Sequence, residues 1–104
     1  MGITDPITVY GADWCEDTRE TRMHLDELGV PYRYIDIEKD PAAREWVLRQ
    51  NDDKQKTPTV DIGGFVLSVP SNGELDAGLR RQGFVSRAPV NELEPPGENV
   101  MRNA

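Results

Sequence analysis

Apolar and polar positions follow two rhythms along the chain. Ile7-Thr8-Val9-Tyr10 is a short β-branched run followed by Gly11, Ala12 and Asp13, the pattern of a buried strand ending in a turn. From Glu16 to Leu28 the spacing becomes helical: Met23, Leu25 and Leu28 make part of an apolar stripe, with Thr18 and Thr21 on neighbouring faces. Gly29 stops that helix and Pro31 lies just beyond it. Tyr32-Arg33-Tyr34-Ile35-Asp36-Ile37 alternates and is rich in strand formers. Asp40-Pro41 marks the start of a second helix, Asp as N-cap and Pro at the first helical position. It runs to about Arg49 and is expected to bury Ala42, Trp46 or Val47, and Leu48.

The polar segment Asn51–Lys56 reads as a loop. Thr57–Ile62 and Phe65–Val69 flank Gly63-Gly64, which predicts an antiparallel hairpin. Pro70 ends it. Ser71-Asn72-Gly73-Glu74 then has the form of a capping box, and the helix it opens carries Leu75 and Leu79 before stopping near Gly83. The order is β-α-β-α-β-β-α, which predicts an α/β fold: a mixed four-stranded sheet with three flanking helices. Residues 1–83 form the domain. The segment 84–104, with Pro89, Pro95, Pro96 and Gly97, is expected to be an irregular or flexible tail.

Composition narrows the function. A 104-residue chain supports one core, and its net charge of −7 makes it a poor partner for nucleic acid or an anionic membrane. No apolar run is long enough to span a bilayer, and the first residues lack a signal peptide's basic and apolar regions. A single cysteine excludes a disulfide scaffold within the chain and fits a reducing, cytoplasmic setting. Cys15 and His24 are the only soft metal ligands, so no metal site is expected. His24 lies more than two helical turns from Cys15 and reads as a surface residue. We expect a monomer.

Cys15 is the candidate for chemistry. It falls at or just before the first helix's N-terminus, where unpaired N–H groups and the helix dipole favour an anion such as a thiolate. The plain alternative is a cysteine that only packs. Trp14 stands beside it and Thr18 three residues on. Asp13, Glu16 and Asp17 place negative charge within a turn of the sulfur, which opposes a thiolate. Glu16 and Asp17 also suit a helix's first turn simply as helix-start residues.

Three pieces of the chain resemble the glutaredoxin family of the thioredoxin fold: Trp14-Cys15-Glu16-Asp17-Thr18, Thr57-Pro58-Thr59-Val60, and the Ser71–Leu79 cap and helix. The likeness spans about Ile7–Gln82. It is nearest to the mycoredoxins, through Tyr34-Ile35-Asp36-Ile37-Glu38 followed by Pro58-Thr59. The resemblance implies a cis Pro58 facing Cys15, with Thr57 offering strand-like hydrogen bonds to a bound thiol chain. It implies a small thiol, glutathione or mycothiol, lying between Cys15, the proline loop and the third helix. Ser71 and Asn72 would then meet a carboxylate with backbone N–H groups, unless Ser71 only caps its helix. Lys56 would face a carboxylate or remain a solvated loop lysine, and a half-exposed Trp14 would flank the thiol.

One departure matters. Dithiol members carry Cys-x-x-Cys, and position 18 is Thr here. The implied activity is therefore a monothiol thiol–disulfide exchange. Cys15 would reduce mixed disulfides of S-thiolated proteins with a low-molecular-weight thiol as co-substrate and no tightly bound cofactor. Thr18 either donates to the thiolate or fills the space of the missing sulfur. Two other functions fit the same fold: a non-catalytic thiol- or protein-binding module, and an iron–sulfur carrier. The carrier's usual Cys-Gly-Phe-Ser pattern is absent, and Glu16-Asp17 would crowd charge beside an anionic cluster.

Overall fold

A computed structural model describes residues 7–84. The expected tail beyond Phe84 lies outside the described residues. Seven elements follow in the expected order: β1 (Ile7–Gly11), α1 (Glu16–Leu28), β2 (Arg33–Asp36), α2 (Pro41–Gln50), β3 (Thr59–Ile62), β4 (Phe65–Ser68) and α3 (Asn72–Arg81). The strands lie in the order β2-β1-β3-β4. β1 pairs in parallel with β2, Val9 opposite Tyr34, and antiparallel with β3, Val9 opposite Val60. β3 and β4 form the hairpin, Val60 opposite Leu67. The Gly63 and Gly64 turn residues both have positive φ, which explains the glycine pair.

The period-2 pattern of the strands splits the core in two. On one face Ile7, Val9, Val60 and Ile62 pack against Leu25 of α1 and Leu75 and Leu79 of α3. On the other, Ile37, Ala43 and Val47 gather with Tyr10, Ile35 and Trp46 beneath α2, the Tyr10 and Trp46 rings 4.5 Å apart. Burying each leucine contributes roughly 1.5–3 kcal/mol, enough for three of them to fix both helices on the sheet.

Three details depart from the sequence reading. The buried side of α1 is Thr18, Thr21 and Leu25, and Met23 is exposed. Positions 18, 21, 25 and 28 follow the 3–4–3 spacing of one helix face, and Met23 falls off it. On α2 the buried alanine is Ala43, four residues before Val47, and Ala42 is exposed. His24 is only partly exposed, because its Nε2 lies 2.7 Å from Asp76 Oδ1 and ties α1 to α3.

Asn51, expected in a polar loop, is buried. Its Nδ2 donates to Val47 O at 2.8 Å and to Thr59 Oγ1 at 3.1 Å, while Ser68 donates to its Oδ1. Thr59 Oγ1 in turn donates to Lys56 O at 2.8 Å. These bonds hold both ends of the Lys56–Thr59 turn, which carries part of the site.

Candidate active site

The turn from β1 to α1 sets the sulfur's position. Cys15 N donates to Ala12 O at 3.0 Å, and Arg19 N donates to Cys15 O at 3.1 Å. Cys15 is therefore the N-cap of α1, with the extended backbone (φ −84°, ψ 123°) such residues adopt. An ordinary N-cap spends a side-chain oxygen on the first-turn N–H groups. Cys15 makes no such bond. The N–H groups of Thr18 and Asp17 face the sulfur without full hydrogen-bond geometry, and they favour its charged form.

A second element meets the thiol from the opposite side. Thr57 Oγ1 donates to Cys15 Sγ at 3.3 Å, and the protonated thiol donates to Thr57 O at 3.6 Å. Both protonation states thus have a partner on one residue. The Thr57–Pro58 peptide is cis, and Pro58 is buried. Burial pushes the Cys15 thiol up. The Thr57 hydroxyl, the Thr18 hydroxyl and the Thr18 and Asp17 N–H groups together pull it down further, so its pKa lies below the ordinary thiol value. Asp13 and Glu16 are engaged elsewhere: Asp13 accepts from Tyr34 OH at 2.7 Å, and Glu16 pairs with Arg19.

Thr18 is fully buried against β1, and its Oγ1 also accepts from Ala12 N at 3.3 Å. It reaches that position because residue 11 is glycine: a Cβ there would stand 2.5 Å from Thr18 Cγ2. Trp14 is 65% exposed beside the thiol, and its Nε1 donates to Glu38 Oε2 at 2.7 Å. The Lys56 side chain is exposed and makes no ion pair among the described residues. Its contribution to the turn is its backbone carbonyl.

Ser71 opens α3 with a complete capping box: its Oγ accepts from Glu74 N at 3.1 Å, and its own N–H donates to Glu74 Oε1 at 2.9 Å. The Ser71 N–H offered to a carboxylate by the family resemblance is thus already used. Ser71 and Asn72 nevertheless line a groove of about 420 Å³ between α1 and α3, with Asp17, Glu20, Thr21, Val69, Pro70 and Glu74. Val69 connects this groove to the thiol, since its N–H donates to Pro58 O at 2.8 Å. Its φ of 46° is strained for a β-branched residue.

The Glutaredoxin family model matches residues 7–67, more than half of the chain. The chain belongs to the glutaredoxin family. Those matched residues include Cys15, Thr18, Thr57 and Pro58 and stop before α3. Mycoredoxin 1 of Corynebacterium glutamicum is 41% identical over 54 residues, covering 52% of this chain and 66% of that protein, just under two thirds of its length. A Mycobacterium tuberculosis protein classed as a glutaredoxin is 33% identical over 78 residues, 74% of this chain and 93% of the relative. Among solved structures, the thioredoxin-like protein BC3987 is similar with a TM-score of 0.64 and 33% identity, covering 70% of this chain and 99% of that one. Family membership agrees with the sheet order and the helices.

Several residues that shape the site carry little signal in the sequence. Gly11 reads there as a turn residue, and Asn51 as loop. Val69 reads as the last residue of a strand. The one available cue is the mismatch of polar Thr18 and Thr21 with an otherwise apolar helix face.

Proposed function

We propose that this glutaredoxin-family chain is a monothiol oxidoreductase that reduces mixed disulfides between proteins and a low-molecular-weight thiol. The observation that carries the reading is the geometry at Cys15: an uncapped helix N-terminus on one side, the Thr57 hydroxyl on the other, and a thiol pKa below its ordinary value. Cys15 thiolate attacks the small-thiol sulfur of the mixed disulfide. The old S–S bond breaks, the protein leaves as a thiolate that takes a solvent proton, and the small thiol remains on Cys15. A second small thiol, as thiolate, attacks that sulfur, restores the Cys15 thiolate and departs as its symmetrical disulfide. The two substrate electrons come from the two small-thiol equivalents.

Thr18 stands where a resolving cysteine would, so the intermediate waits for an external thiol. Thr57 and the buried Pro58 border the attacked bond, Trp14 flanks it, and the groove beside Ser71 and Asn72 takes the rest of the small thiol. The setting is the reducing cytoplasm, which keeps a lone thiol available.

Incubation with glutathione disulfide and with mycothiol disulfide, followed by intact mass, is the test. One small thiol should add to the native chain and none to Cys15→Ser, and turnover of the mixed disulfide should vanish in that variant. If Cys15→Ser keeps native activity, or the native chain never forms the adduct, a non-catalytic binding module replaces this reading.

A further inference from the structure

The strand registers bring four segments to one end of the sheet. Asp36 lies opposite Gly11, Tyr10 opposite Thr59, and Thr59 opposite Ser68. Just beyond these pairs stand Glu38, Cys15, Pro58 and Val69, in that order across the sheet. Cys15 thus has one flank toward Val69 and another toward Glu38. In the oxidoreductase reading the small thiol fills the groove beside Ser71 and Asn72, on the Val69 flank. The polypeptide half of a mixed disulfide is left with the Glu38 flank.

That flank carries Trp14. At 65% exposure it is the most exposed large apolar side chain among the described residues. An unsupported side chain on a turn samples several rotamers, and ordering it on binding weakens association. Here the ring is already held, because Nε1 donates to Glu38 Oε2 at 2.7 Å. Glu38 itself stands on a fixed turn. Its N–H donates to Asp36 Oδ1 at 2.9 Å, and the Lys39 N–H donates to Asp36 O at 3.0 Å. The preceding Ile37 is buried, with its N–H on Gly11 O at 2.9 Å. A bond that only joined two turns would not need an indole face left open to solvent. A rigid, exposed Trp beside a reactive sulfur has the properties of a recognition anchor.

We propose that Glu38 is a positioning residue, which holds Trp14 as a preset platform for an apolar side chain next to the thiolated cysteine of a protein substrate. This role rests on the oxidoreductase reading, which places the small thiol on the opposite flank. Glu38 acts through the indole and touches neither sulfur of the disulfide.

The test uses two peptides glutathionylated on a cysteine, one flanked by Leu and one by Ser. Transfer of glutathione to Cys15 is followed in a single turnover by intact mass. Each rate is divided by that of the same peptide with 2-mercaptoethanol thiolate, which removes differences between leaving groups. In the native chain the Leu peptide should react about fivefold faster, the effect of partly covering one leucine. Trp14→Ala should bring that ratio to about one. Glu38→Ala should reduce it about twofold, and Glu38→Gln, whose amide oxygen still accepts from the indole, should restore it. The Trp14 indole N–H resonance, told from that of Trp46 by Trp14→Phe, should shift in Glu38→Ala and stay near its native position in Glu38→Gln.

A native ratio near one overturns the proposal, and so does a Glu38→Ala variant that slows both peptides equally or neither. If neither peptide thiolates Cys15, the oxidoreductase reading fails separately. The Trp14 indole resonance in Cys15→Ser then decides the platform. Movement with the Leu peptide and not with the Ser peptide supports it, and equal movement or none ends it.

Discussion

Two helix N-termini bound the site, and they treat their first-turn N–H groups in opposite ways. At α3, Ser71 and Glu74 satisfy each other's backbone donors in a closed capping box. At α1, Cys15 occupies the same N-cap position with the same extended backbone and closes nothing. A closed cap stabilises its helix by about 1 kcal/mol. The open one gives that up, and the donors it leaves are available to a thiolate. Stability and reactivity are thus assigned to different helix ends of one small domain.

The comparison is broken most severely by Cys15→Ser. Serine removes the nucleophile and supplies the missing cap. Turnover should disappear, while the chain should gain roughly 0.5–1 kcal/mol in urea unfolding. A loss of stability would mean that the sulfur's contacts with Thr57 matter more to the fold than the cap does. Gly11→Ala comes next. The added methyl would lie 2.5 Å from Thr18 Cγ2, so Thr18 or β1 must shift, at about 1–3 kcal/mol. Because Thr18 is one of the groups pulling the thiol down, its alkylation midpoint should also move up. Unfolding and alkylation, measured together, check the linkage.

Ser71→Ala sharpens the contrast from the other end. It should cost about 1 kcal/mol of stability, with the Cys15 alkylation midpoint unmoved, because neither Ser71 nor Glu74 contributes to the thiol's shift. A midpoint that follows Ser71 would show the two helix ends to be coupled.

What could be read in the sequence follows from how far each signal reaches. The capping box, the Asp40-Pro41 helix start and the Gly63-Gly64 hairpin are local, and each lies where its residues indicate. The β-α-β-α-β-β-α order follows from them. The contact between Thr57 and Cys15 spans 42 residues and has no local signature; only the family resemblance implies it. Asn51 reads as loop because its neighbours Asp52 and Lys54 are exposed and polar, while its buried bonds run to Val47, Thr59 and Ser68. Gly11 and Val69 matter through a close approach and a strained backbone, neither of which has a hydropathy pattern. The balance of charge on Cys15 depends on where Asp13 and Glu16 point, and Tyr34 and Arg19 decide that in three dimensions.

The central claim is that fixed donors lower the Cys15 pKa below the ordinary thiol value despite its burial. The direct measurement is the pH dependence of Cys15 alkylation by iodoacetamide, in the native chain and in Thr57→Val. A free cysteine titrates near pH ~8.5. A folded-state pKa below the unfolded value makes the thiolate a source of stability above the unfolded value, lost as pH falls through the folded one. Thermal stability should therefore rise with pH across the same window in which alkylation rises. The native midpoint should lie below that of a free cysteine and should move up in Thr57→Val, which loses the nearest donor. A native midpoint at or above that of a free cysteine, or one that Thr57→Val leaves in place, would contradict it.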